Sequence, residues 1–118
     1  MRELASALFI SSALAAPTVA FSFTDPVAYY PFSGDAQDRS GYGNDGVVHG
    51  AQLTQDRFGN PDRAYHFDGD DFIAVPPAPS LQLTTGLTLA AWVRHDRVSN
   101  PQHIVNMSEF RSGYRLAA

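Results

Sequence analysis

The chain has no cysteine and no lysine, and only two of its twelve acidic residues are glutamate. Without cysteine there is no disulfide framework and no thiolate metal site. Without lysine, eight arginines carry all the positive charge, and a formal balance of −4 leaves no basic stripe to follow a phosphate backbone. That composition argues against nucleic acid as a partner. The scarcity of glutamate bears on catalysis. Glu3 and Glu109 stand alone, and the adjacent Asp70 and Asp71 would point to opposite faces of a strand. No paired-carboxylate site for glycoside hydrolysis can be assembled from them. A G-x-S-x-G nucleophile elbow is missing as well. His49, His66, His95 and His103 show no metal-ligand spacing. The sequence therefore predicts no catalytic residue and no enzyme. No apolar run approaches the roughly 20 residues needed to span a bilayer.

What is there begins with residues 1–20. Arg2 precedes a short apolar run from Leu4 to Leu14, and small residues follow around Pro17. This is the layout of an export signal, with cleavage expected after Ala20 or, alternatively, after Ala15. An N-terminal core helix is the competing reading. Export favours a secreted, periplasmic or cell-surface product comprising residues 21–118, with no membrane span in the mature chain.

From residue 21 onward, short apolar runs alternate with Gly/Asn/Asp turns about every ten residues, and no segment reads as a helix. The spacing predicts strands over residues 27–32, 47–48, 52–54, 64–67, 72–75, 87–94, 103–106 and 114–116. The segments 64–67 and 72–75 read as a hairpin around Asp68-Gly69-Asp70-Asp71. Pro76, Pro77 and Pro79 mark a surface connection, since proline cannot donate to a ladder. The clearest strand is 87–94. Leu87, Leu89, Ala91 and Val93 fall on one face, with Thr88, Ala90, Trp92 and Arg94 on the other. The fold class expected is all-β, an antiparallel sandwich within one domain.

Five pieces occur in order: Ala28-Tyr29-Tyr30-Pro31-Phe32, Asp38-x-Ser40-Gly41-x-Gly43-Asn44-x-Gly46, Asp56-Arg57-Phe58-Gly59-Asn60, Ala64-Tyr65-x-Phe67-Asp68-Gly69 and Leu89-x-Ala91-Trp92-Val93. Together they resemble the laminin-G-like or pentraxin-like jelly rolls of the concanavalin A-like lectin/glucanase superfamily. The resemblance covers residues 27 to about 116. It implies a jelly-roll β-sandwich that is incomplete, because members of that superfamily continue with further strands; residues 21–118 are expected to be its N-terminal portion. It also implies a noncatalytic module that binds glycan or an extracellular protein.

Two groups of residues are candidates for a site. Calcium is common in the family resembled, often as a structural ion, and hard cations take carboxylate, amide and backbone oxygens from loops. Asp38, Asn44 and Asp45 are the candidate ligands. The EF-hand pattern is rejected, because His49 stands where a bidentate glutamate belongs. Plain turn formation by the same Asp, Asn and Gly residues is favoured over a metal loop. Trp92 is the candidate for stacking on a ligand, although a core or semi-core position is favoured for an aromatic ring in a strand. Two other roles stay open beside the binding module: a structural or adhesion scaffold without a pocket, and an accessory fragment of a glycan-active enzyme.

Overall fold

A computed structural model describes residues 2–11, 25–96, 103–107 and 115–117. Nine strands occur among them. They are β1 (Arg2–Ser11), β2 (Ala28–Tyr30), β3 (Val47–His49), β4 (Gln52–Thr54), β5 (Ala64–Asp68), β6 (Phe72–Ala74), β7 (Thr88–His95), β8 (His103–Asn106) and β9 (Arg115–Ala117). One 3₁₀ turn, Pro79–Leu81, is the sole helical element of the described residues. The all-β expectation holds, and the strands are short because Gly, Asn and Asp interrupt the chain so often.

Strands β1, β2, β4, β5 and β7 form one five-stranded sheet. The first strand is its centre. Along one edge, its N-terminal half pairs with β5 (Ala5 opposite Tyr65) and its C-terminal half with β2 (Phe9 opposite Tyr29). The other edge pairs with β7 along nearly its whole length, from Glu3 opposite His95 to Ser11 opposite Thr88. The pairs β3–β6 and β8–β9 are separate two-stranded sheets.

The expected hairpin between 64–67 and 72–75 is not formed. Both segments are strands, but β5 pairs with β4 while β6 pairs with β3, in another sheet. The four strands are one long hairpin, bent so that its inner half (β4, β5) and its outer half (β3, β6) lie in different sheets. The bend needs a corner on each arm. One is the segment 68–71, where the Asp68 amide donates to the Asp71 carboxylate at 2.8 Å. The other is Gly50, at φ +83°, where a Cβ atom would collide with that same carboxylate. No other residue type fits there without strain.

The buried cluster comprises Val27, Ala28, Tyr30, Phe32, Ala36, Ala51, Tyr65 and Leu81. Strands of both sheets pack against it: Leu53, Phe67 and Leu89 from the larger, Val48 and Ile73 from the β3–β6 pair. Phe32 meets Tyr65 edge-on, with ring centroids 5.1 Å apart. Strand β7 obeys the expected alternation: Leu89, Ala91 and Val93 are half-buried, while Thr88, Ala90, Trp92 and Arg94 are exposed.

The part of the apolar run from Leu4 to Ser11, read from the sequence as belonging to an export signal, lies in the sheet's central strand. Its expected cleavage sites after Ala15 and Ala20 lie outside the described residues.

Two measurements test this architecture. Gly50→Ala should lower unfolding stability by more than about 1 kcal/mol in urea titration, because the turn forbids a side chain. A chain beginning at Phe21 should lose hydrogen-exchange protection along Thr88–His95, whose ladder partner would be gone. Unchanged protection there would mean that another strand fills the vacated lane.

Candidate binding surface

Directly opposed residues in an antiparallel ladder share a face. Leu53, Tyr65 and Val93 fall in one row across the sheet, and this row belongs to the core side, where Tyr65 is buried. The next row, which brings Gln52 and His66 into line with Arg94, therefore lies on the outer side. Trp92 alternates with Val93 and joins Arg94 there. It stands opposite an irregularity: the ladder shifts between Ala5 and Leu8, leaving two β1 residues against Trp92 alone. Bulges of this kind re-aim the side chain beside them.

Trp92 is 55% exposed. Of the core or semi-core position expected from the sequence, full burial is excluded, and the physical reason is strand phase. Trp92 has the parity of Thr88 and Arg94, and parity overrides the general tendency of rings to be buried.

A loop from elsewhere in the chain meets it. Between β4 and β5, Asp56 organises residues 55–61: its carboxylate accepts from the Phe58 amide at 2.8 Å, the Asn60 amide at 2.9 Å and the Asn60 side chain at 3.0 Å. The Asn60 side-chain hydrogen bond, reinforced by the backbone donors, holds the Asp56 carboxyl below its ordinary pKa. So fixed, the loop presents Arg57 and Phe58. The Arg57 guanidinium carbon lies 3.8 Å from the Trp92 ring centroid and 4.5 Å from that of Phe58. Each such cation–π contact contributes about 0.5–1 kcal/mol at an exposed site. Phe58 is 74% exposed, so the assembly is a surface platform and not a satellite core.

From the sequence, Arg57 and Phe58 enter only as part of the Asp56-Arg57-Phe58-Gly59-Asn60 piece of the resemblance and not as site candidates. A signal existed in Gln55-Asp56-Arg57-Phe58-Gly59-Asn60, where the aromatic residue has no strand to bury it.

The three candidate metal ligands are brought together, away from any strand interior. Asp38 and Asn44 are buried and Asp45 is exposed. One Asp38 oxygen accepts from the amides of Tyr29 (2.9 Å) and Ser40 (2.8 Å). The other accepts from the Ser40 hydroxyl (2.7 Å) and the Asn44 amide (3.0 Å). The Asp38 amide donates to Asp45 Oδ1 at 2.9 Å. Asn44 Nδ2 donates to the Val27 carbonyl at 2.8 Å and to the Ser80 hydroxyl at 3.0 Å. Both oxygens of the central carboxylate thus face hydrogen-bond donors. A calcium ion on Asp38 would have to displace N–H and O–H groups, so the arrangement fits a locked turn and does not fit an ion cradle. Among the described residues, no group of three or more His, Asp or Glu side chains is placed to hold a metal.

Burial on its own would raise the Asp38 carboxyl, but the hydrogen bonds from Tyr29, Ser40 and Asn44 outweigh it and hold the pKa below the ordinary 3.8. Stability from an acid lowered in this way is fully present above 3.8 and is lost as pH falls through the lower folded-state value. Asp38→Asn should therefore cost about 2 kcal/mol at neutral pH, by loss of charge-assisted hydrogen bonds. The gap between variant and parent should narrow in acid, as followed by urea unfolding across a pH series. Added calcium should leave the parent's melting temperature unchanged; a saturable rise abolished by Asp38→Asn would place an ion in this loop.

No helix among the described residues is long and apolar enough to cross a membrane. Comparison of the chain with protein-family models, curated proteins and solved structures gives no match, so the likeness to jelly-roll modules rests on the residues alone.

Proposed function

We propose that this chain is a noncatalytic binding module of a secreted, periplasmic or cell-surface protein. In this reading its strands belong to a jelly-roll sandwich, and recognition of carbohydrate or of a protein surface takes place on the outer side of the five-stranded sheet. One observation carries the proposal. The sole tryptophan is held half in solvent by its strand phase, beside an arginine and a phenylalanine delivered by a separately ordered loop. Rings exposed together are costly to leave in water and mark interaction sites more often than scattered apolar residues do. Around them, Gln52, His66, Thr88 and Arg94 supply the hydrogen-bonding side chains that a polar partner requires.

Trp92 is also the reporter. A ligand that contacts the platform should shift or quench its fluorescence, with no competing tryptophan in the chain. Trp92→Ala and Phe58→Ala should each weaken binding tenfold or more, about 1.4 kcal/mol, while the circular dichroism spectrum stays the same. A glycan array and a panel of extracellular proteins that give no Trp92-dependent binding would leave a scaffold without a ligand as the better description.

A further inference from the structure

We infer that the platform takes a carboxylate-bearing saccharide, a uronic acid unit whose carboxylate meets Arg57 while its ring lies against the neighbouring aromatic edge. The inference rests on the binding-module reading and narrows it to a ligand class.

The argument starts from how the arginines are used. Arg39 donates to Asp35 at 2.9 Å, Arg63 to Ser33 at 2.7 Å, and Arg94 lies 3.5 Å from Asp96. Arg57 differs from these three. Among the described residues its guanidinium has no hydrogen-bond acceptor and no carboxylate partner; its contacts are the two ring faces. Aromatic rings attract the cation without accepting conventional hydrogen bonds, so the N–H donors are kept for something else. The nearest acid in sequence, Asp56, is committed to the amides of its own loop. Arg57 is therefore oriented but electrostatically unspent. A planar, bidentate oxyanion is the complement of that fork.

The same geometry disfavours a neutral sugar. On the Trp92 face that Arg57 covers at 3.8 Å, a neutral ring would have to evict the guanidinium. An anionic ring leaves the stack intact and adds to it. A saccharide is preferred to an acidic peptide for a related reason. A uronate carries its carboxylate directly on a ring, so engaging Arg57 brings C–H surface onto the exposed Phe58 in the same step. An aspartate or glutamate side chain has no such ring to offer.

The test uses the full chain, with Trp92 fluorescence and calorimetry as readouts. The probes are oligogalacturonate, an alginate oligomer, methyl-esterified oligogalacturonate and polyglutamate, each with and without EDTA. At least one uronate should bind, independently of EDTA and more weakly as salt rises. The ester keeps ring and linkage but loses the charge, and should bind at least tenfold more weakly. Arg57→Ala should reduce uronate affinity tenfold or more, with strand content retained and the melting temperature lowered only by the few degrees that losing two cation–π contacts entails. Arg57→Lys should recover only part of it, because the fork is lost. Binding of the ester as tight as the acid, indifference to Arg57→Ala, or failure of both uronates would overturn the inference. If neutral saccharides then bound in a Trp92-dependent way, the broader reading would stand without it. Polyglutamate binding as tight as the uronate would reassign the site to acidic protein, and no binding by any saccharide or protein would remove both.

Discussion

The five-stranded sheet is held together through its first strand. Strands β2, β5 and β7 make no ladder with one another; each pairs with Arg2–Ser11. Backbone N–H and C=O groups in a sheet must find partners, so a central strand satisfies both of its own edges and one edge of every neighbour. The consequence reaches the surface. Trp92 stands on β7 and Arg57 on the loop that precedes β5, and these elements lie on opposite sides of β1. Their 3.8 Å stack therefore spans the central lane, and its geometry is set by a ladder to which neither residue belongs.

The imbalance of ten aspartates to two glutamates has a structural explanation. Asp35, Asp38, Asp45, Asp56 and Asp71 each accept from a backbone amide no more than nine residues away. Only a short side chain reaches its own neighbourhood in this way, and glutamate would overshoot. Seven of the nine strands among the described residues have only three to five residues, and the turns between them need such internal acceptors to replace missing ladder bonds. Acidic composition here is chiefly a device for ordering loops. The buried, four-donor Asp38 is its extreme case, and the platform loop is built by Asp56 on the same principle.

Much of the strand layout was legible in the sequence, because local rules govern it. Period-two alternation located β7 and its two faces, and glycine with Asn/Asp clusters located the breaks around β3, β4 and β5. The prolines at 76, 77 and 79 correctly removed that stretch from any ladder. Pairing was not legible. Segments 64–68 and 72–74 look like a hairpin because they are adjacent, yet the corner at Asp71 and Gly50 sends them to different sheets, and that contact joins residues far apart in the chain. Residues 2–11 were read as part of a leader, with a core helix as the competing reading, because the small and apolar residues that follow Arg2-Glu3 carry no periodicity that announces a strand. The platform was half legible. Parity grouped Trp92 with Thr88 and Arg94, but the general tendency of rings to be buried favoured a core or semi-core position, and nothing local announces that a turn thirty-odd residues earlier will deliver Arg57 to its face.

The leader-like composition of β1 and its central position make opposing demands on the same residues. If export removes them, β7 faces β5 and β2 across a gap of about two strand spacings, roughly 9–10 Å. Closing that gap would move Trp92 toward the β4–β5 loop by about 4.8 Å, one strand spacing. That displacement exceeds the 3.8 Å separation between ring and guanidinium, so the present stack would not survive it. Keeping the stack requires a filled lane, whether by these residues or by another extended segment in their place. Occupancy of the central strand position is thus a condition for the recognition surface as well as for the fold, and the two stand or fall on the same row of backbone hydrogen bonds.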